Sequence, residues 1–390
     1  MRNLMLICLV LAVVSVSTVR ADHGRVVYLY SAELAKSSDN GANAPTSGRI
    51  DVMESDLRSG KRSTLINGFY NGAYQDFAGS SIAVSCNGGY VAIGQSPTIA
   101  AISDADIKLT PSGLRLWDRK TRRVRTIYPG YTNEQLLWSG SGRYLAIVDP
   151  YSDGPVRIYD AYLGRMKAYS GYGGFTCAAW SAKRNELILV VSSTKKGSTI
   201  YAQPVTGRRR VLFRWRDTID AVAELGDGTG YALCDGIGVF LYKSNGRTKR
   251  LPIHRSHNDP WGITLLSQSK GSWMAALASY SYGEPHVNTD EALYALKSDG
   301  CAFRRIAKWQ SSYLSIQPDG GSIIFMEAVG WLKNPSKVVL RGQVTWGGEA
   351  VVDNRSDQFQ FWTFDMPHAR IGKMIFDSGP GCLSAAWWSD

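Results

Sequence analysis

Histidine is scarce, with five in 390 residues, and cysteine is little commoner, with six. No Gly-x-Ser-x-Gly elbow, no His-Glu-x-x-His pair and no phosphate-cradling glycine loop before a helix occurs. Their absence argues against the common hydrolases, zinc peptidases and nucleotide enzymes. No cysteines stand at metal-ligand spacing. Beyond the N-terminus no apolar run reaches the roughly 20 residues that cross a bilayer as a helix. Long helical periodicity is also missing. The chain instead has 40 Gly, 12 Trp and 20 Tyr, and many turns with many aromatics favour short strands.

The first residues read as a processing signal. Arg2 is followed by an apolar run from Leu4 to Val16 and by Val19-Arg20-Ala21, which has the look of a cleavage site. Residues 1–21 are therefore expected to be a secretory signal. Residues 22–390 are expected to form one domain outside the cytoplasm, periplasmic or extracellular. Five cysteines remain after Cys8 goes with the signal: Cys86, Cys177, Cys234, Cys301 and Cys382. An odd number leaves at least one thiol unpaired, and a role as small buried hydrophobes suits them.

A single hydrophobic core rarely grows past about 250–300 residues, so a chain of this length must divide or repeat. It repeats. Leu136-Leu137-Trp138-Ser139-Gly140-Ser141-Gly142-Arg143-Tyr144-Leu145-Ala146-Ile147-Val148 is an apolar strand, a Trp-Ser pair, a glycine turn and a second apolar strand. Ala178-Ala179-Trp180-Ser181 with Glu186–Val190 is a second copy. Weaker copies centre on Val84, Glu224, Ser267 and Ile316, the last with Gln317-Pro318-Asp319-Gly320 as its turn. Most steps are 42–44 residues. Each hairpin is followed by another, as at Val156-Arg157-Ile158-Tyr159-Asp160, whose last strand is basic. Four strands in about 40–45 residues is the period of a propeller blade. The C-terminal Ala385-Ala386-Trp387-Trp388-Ser389 is the first strand of the pattern, and Gly24-Arg25-Val26-Val27-Tyr28-Leu29-Tyr30 is the second. The expected fold is thus all-β: a seven-bladed β-propeller closed by pairing of the C-terminal strand with the N-terminal strands. Blade seven then needs an insertion over 327–357.

With Trp138-Ser139, Trp180-Ser181, Gln317-Pro318-Asp319-Gly320 and Tyr159-Asp160, the chain resembles the TolB-type, WD-repeat-like β-propellers. The resemblance implies the fold over nearly all of 22–390. It says little of function, because such scaffolds host partner-binding modules, peptidase lids and lyases alike.

Strand alternation puts the loops between strands two and three on the same face as the blade-to-blade links. The long insertions Ala32–Ser47, Gln95–Ser112, Ser281–Asp290 and Glu327–Asp357 share that face with aromatic-rich links. Tyr70, Tyr74, Tyr131, Tyr172, Trp215, Trp261, Trp309 and Tyr313 are the candidate ligand-binding residues, since flat apolar rings with polar edges suit a protein or glycan ligand. The bland alternative is that these rings pack between blades. His254, His257 and His286 lie on the same face and are candidate metal ligands. The resemblance to propeller-type polysaccharide lyases then implies a metal-assisted carbohydrate enzyme. A third reading is a structural component of an envelope assembly. The primary expectation is a non-enzymatic binding module without a cofactor. Formal charge is +11, and +9 without Arg2 and Arg20. Its basic clusters lie on the outermost strands, where charge protects exposed edges or attracts an anionic envelope polymer. No aromatic-lined basic groove suggests nucleic acid.

Overall fold

The computed structural model describes residues 24–39, 47–73, 82–95, 99–101, 107–109, 113–131, 134–149, 154–171, 177–181, 183–193, 196–235, 238–251, 260–267, 273–282, 288–297, 303–310, 322–331, 337–345, 358–365, 368, 370–379 and 382–389. The expected signal segment 1–21 lies outside them. Among the described residues no helix is long and apolar enough to cross a membrane.

The described residues form antiparallel four-stranded sheets almost throughout, six of them continuous in sequence. Taken from the inner strand outward, sheet two is Ile82–Val84, Tyr90–Gln95, Gly113–Asp118 and Arg123–Tyr128. Sheet three is Gln135–Trp138, Tyr144–Val148, Val156–Asp160 and Arg165–Tyr169. Sheet four is Cys177–Trp180, Glu186–Ser193, Gly197–Pro204 and Arg210–Trp215. Sheet five is Ala221–Glu224, Gly230–Asp235, Gly238–Lys243 and Thr248–Leu251. Sheet six is Pro260–Ser267, Trp273–Tyr282, Asn288–Lys297 and Phe303–Gln310. Sheet seven is Ser322–Trp331, Lys337–Thr345, Gln358–Asp365 and Arg370–Asp377.

The remaining four-stranded sheet, sheet one, is composite. Its inner strand is the C-terminal Cys382–Ser389, followed outward by Gly24–Tyr30, Ser47–Asp56 and Arg62–Ala73. Val26 pairs with Trp387 and Arg25 with Trp388. The inner strands touch in the order two, three, four, five, six, seven, one and back to two.

Burial follows this radial order. Tyr144–Val148 is buried throughout, whereas the outer strand Arg123–Tyr128 is mostly exposed. The core therefore lies between sheets rather than in one centre. One apolar cluster packs Val27, Leu29, Ile50 and Val52 of sheet one against Ile82, Val91 and Ile93 of sheet two. Another packs Leu114, Leu116 and Ala92 of sheet two against Leu145 and Ile147 of sheet three. Each sheet buries both faces only because it has a neighbour on each side.

The recurrent tryptophan is a clasp between sheets. The Trp138 indole N–H donates to the Ala83 carbonyl at 3.2 Å, and the ring stacks on Tyr90. Trp180 repeats this on the Leu137 carbonyl at 2.8 Å and on Tyr144. Glu224 takes the same place in sheet five and accepts a hydrogen bond from the Ser181 hydroxyl at 2.6 Å. In the composite hairpin the register gives this place to Trp387, not Trp388: Trp387 packs on the sheet-seven side, and Trp388 on the sheet-two side.

Two expectations need correction. Residues 327–357 are not an insertion throughout: 322–331 is the inner strand of sheet seven and 337–345 its second strand. Ile316 and Pro318-Asp319-Gly320, read as the first hairpin of blade seven, lie outside the described residues, and the inner strand of sheet seven begins after them, at Ser322. The segment Ala32–Ser47 also holds a helix, Ala32–Asp39, opened by Ser31, whose hydroxyl accepts from the Leu34 N–H at 3.4 Å.

Candidate functional site

The two ends of the sheets differ. At one end lie the turns joining strand one to two and three to four, and there neighbouring sheets are tied together. Cys86 donates its thiol to the Ser139 and Gly140 carbonyls, both at 3.0 Å. Gly88, at φ +65°, leaves room for the Trp388 ring, which a Cβ would meet at 2.3 Å. Glu54, 5% exposed, accepts from Arg25 at 3.1 Å and also pairs with Arg119 of sheet two. Lys183 of sheet four reaches the Asp227 carbonyl of sheet five. A carboxylate buried this deeply persists only with such partners.

The other end carries the links between sheets and the loops between strands two and three. The added elements leave from here: the helix Ala32–Asp39, and the hairpin Ile99–Ala101 with Ile107–Leu109. Where strand two ends, polar side chains are buried in several sheets. Gln95 of sheet two is 1% exposed and neither end of its amide has a hydrogen-bond partner. Asp235 of sheet five, in the equivalent place, is 2% exposed and accepts from the Trp215 indole N–H at 2.9 Å. Burial, with Asp217 adding to it, pushes the Asp235 carboxyl up to about 6 despite that hydrogen bond. Burial also raises the carboxyl of nearby Asp220.

A second polar group lies between sheets two and three. Arg157 stands over the Tyr128 ring at 4.4 Å. Burial, with the negative charges of Glu134 and Asp149, raises the Tyr128 phenol, and Arg157 opposes the rise. This end therefore offers aromatic faces beside carboxylates, on a rigid frame and under added loops.

No family model matches the chain, and no curated protein does. Solved structures do. A prolyl endopeptidase matches at a TM-score of 0.52 and 12% identity over 85% of this chain and 46% of that one, so the chain spans about half of that protein. The β-propeller domain of Cps50 (Swd1) from Myceliophteria thermophila matches at 0.48 and 12%, over 76% of this chain and 86% of that one. A putative TolB from Agrobacterium tumefaciens matches at 0.38 and 17%, over 70% and 95%. The chain is a β-propeller. At these identities the likeness reaches the fold and stops there.

The predicted site residues fall into four groups. Tyr70 lies at the loop-bearing end of its outer strand and is half-buried, beside Phe69, whose ring Arg115 covers at 5.1 Å. Trp215 is half-buried and holds Asp235. Tyr131 is a correction: it is 0% exposed, wedged against Gly94, with its hydroxyl donating to the Glu134 carbonyl at 2.9 Å, so no part of its ring is left for a ligand. Trp261 and Trp309 lie on strands of sheet six. Tyr74, Tyr172, Tyr313, His254, His257 and His286 lie outside the described residues. Among the described residues no three His, Cys, Asp or Glu side chains are grouped to hold a metal.

Asp235 was not among the predicted residues. Its signal in the sequence is weak, because Cys234-Asp235-Gly236 reads as an ordinary turn. Its effect on stability has a definite sign. The folded-state value of about 6 stands above the unfolded one, near 3.9. The folded propeller thus holds the proton more tightly, and stability falls as pH rises from about 4 through 6. Asp235→Asn keeps an acceptor for Trp215 without the charge. Urea melts at pH 8 should show the variant more stable by about 1–2 kcal/mol, and the gap should close by about pH 4.

Proposed function

We propose that this propeller is an exported, non-enzymatic binding module that takes a protein or glycan ligand on its loop-bearing end. The observation that carries the reading is the contrast between the two ends. One end is tied sheet to sheet by short turns. The other bears the added helix and hairpin together with half-buried aromatics and carboxylates. Rigid scaffolds that lengthen loops at one end use those loops for recognition, and half-buried aromatics beside carboxylates give flat contact with directional hydrogen bonding. Export rests on the N-terminal leader pattern.

The test is capture from peptide and glycan panels by the full chain. Three variants remove parts of the loop-bearing end: Trp261→Ala, Trp309→Ala, and replacement of residues 97–111 by two glycines. A fourth, Asn245→Ala, alters the opposite end. At least one of the first three should weaken capture tenfold or more, about 1.4 kcal/mol, while Asn245→Ala stays within twofold. Capture untouched by all three, or lost with Asn245→Ala, would show that the ligand uses another surface.

A further inference from the structure

The seven outermost strands carry a charge pattern that edge protection does not account for. Over the whole chain Lys and Arg outnumber Asp and Glu by 44 to 33. On the outermost strands the ratio is 14 to 1, with Asp377 the single acid. Every one of these strands has at least one cation. Blocking edge-to-edge pairing needs charge of either sign, and lysine is the usual choice. Here ten of the 14 are arginine. Arginine presents a planar fork of donors that matches carboxylate, sulfate and phosphate groups.

Four of these cations are also available. Arg123, Arg165, Lys167 and Arg214 are exposed and have no carboxylate partner among the described residues. Beside the outermost strand of sheet five lies a cleft of about 780 Å³ lined by three cations, Lys243, Arg247 and Lys249, and one acid, Asp227, with Thr229 and Asn245. Since outer strands occupy the circumference, the cations form a belt around it.

We infer that this belt is a docking surface for a linear acidic polysaccharide. The geometry selects among polyanions. A flat anionic bilayer touches only an arc of a convex rim. Duplex DNA, with a persistence length of about 50 nm, is too stiff to follow a rim of domain size. A flexible single chain can follow it. Single-stranded nucleic acid is held by a cationic groove together with stacking of successive bases on exposed rings. Among the described residues whose side chains are placed, Tyr162, 58% exposed, is the one large exposed aromatic. An acidic glycan needs cations at intervals and few rings. This inference is independent of the ligand on the loop-bearing end.

The test measures binding of the full chain to heparin and to polygalacturonate, which separates sulfate from carboxylate recognition, against oligo(dT) of equal charge. Two triple variants lose the same three charges. One removes belt cations, Arg123→Gln, Arg165→Gln and Lys167→Gln. The other removes exposed cations of the short turns at the opposite end, Arg58→Gln, Arg184→Gln and Arg208→Gln. At least one glycan should bind more tightly than oligo(dT). The belt triple should weaken it tenfold or more and flatten its dependence on salt, while the other triple stays within twofold. Equal losses in the two triples would reduce the effect to net charge and overturn the inference. So would failure to bind either glycan, or tighter binding of oligo(dT).

Discussion

Ending the chain at Gly381 leaves no cooperatively folding propeller. The truncation removes Cys382–Ser389, the inner strand of sheet one. Cys382, Ser384 and Ala385 are fully buried and Trp388 is 8% exposed. Trp387 packs with Tyr28, Phe361 and Phe376 toward sheet seven, and Trp388 with Val27, Ile93 and Trp117 toward sheet two. Losing a buried tryptophan side chain such as Trp388 costs about 3–5 kcal/mol, and the half-buried Trp387 adds to that, against about 5–15 kcal/mol for the whole stability of a typical domain. Arg341, 5% exposed, also loses the Ala385 carbonyl that accepts from it at 3.0 Å, and a buried cation that loses a partner is strongly destabilising. Far-UV circular dichroism and limited proteolysis should show a chain without a sharp melting transition. A circular permutant is the complement. Its old ends are joined by a short Gly-Ser linker across the Gly24–Ser389 pair. Its new ends open at Gly207, where nothing lies within 4 Å of the Cβ position. It keeps every sheet and should melt within a few degrees of the parent. A truncated chain that melts as sharply as the parent would mean that strand 382–389 is dispensable.

The repeat was legible wherever chemistry is local. Gly142 and Gly228 sit at φ +68° and +69° in their turns, and a left-handed turn between two apolar strands can be read from glycine position alone. The tryptophan spacing was legible too, because one residue type does the same work in successive sheets. Three features were not. In sheet seven, Pro318-Asp319-Gly320 has the composition of a hairpin turn, yet the sheet begins at Ser322; turn chemistry marks a chain reversal without saying which strands it joins. The helix Ala32–Asp39 is only eight residues long, with a weak apolar face, too little periodicity to read as a helix within an insertion. Tyr131 looked like a surface ring because it lies in a link between sheets. Its burial depends on a glycine far back in the chain, and no local pattern records that contact. The loop-bearing end was legible as a place, through the lengths of its insertions. The buried charge at Asp235 was not, since burial there comes from a neighbouring sheet.

The contact between Gly94 and Tyr131 gives the second large effect. A Cβ on Gly94 would stand 2.3 Å from Cε1 and Cζ of Tyr131 and 2.7 Å from its hydroxyl. Gly94 is not among the glycines with positive φ, so alanine there meets a steric obstacle without backbone strain. The ring cannot move aside, because it is fully buried and its hydroxyl is held by the Glu134 carbonyl. Gly94→Ala should therefore destabilise by about 2–4 kcal/mol, at or above the usual cost of overpacking. Tyr131→Ala should cost about 3–5 kcal/mol through the cavity it leaves. The double variant should cost less than the sum by about 1–3 kcal/mol, because the methyl group enters the space the ring has vacated. Tyr131→Phe isolates the hydrogen bond and should cost about 1 kcal/mol. Additive losses in the cycle, measured by urea denaturation, would mean that the two residues do not meet. Tyr131 would then return to the set of rings open to a ligand, and the boundary between packing and recognition at this end of the propeller would have to be drawn further in.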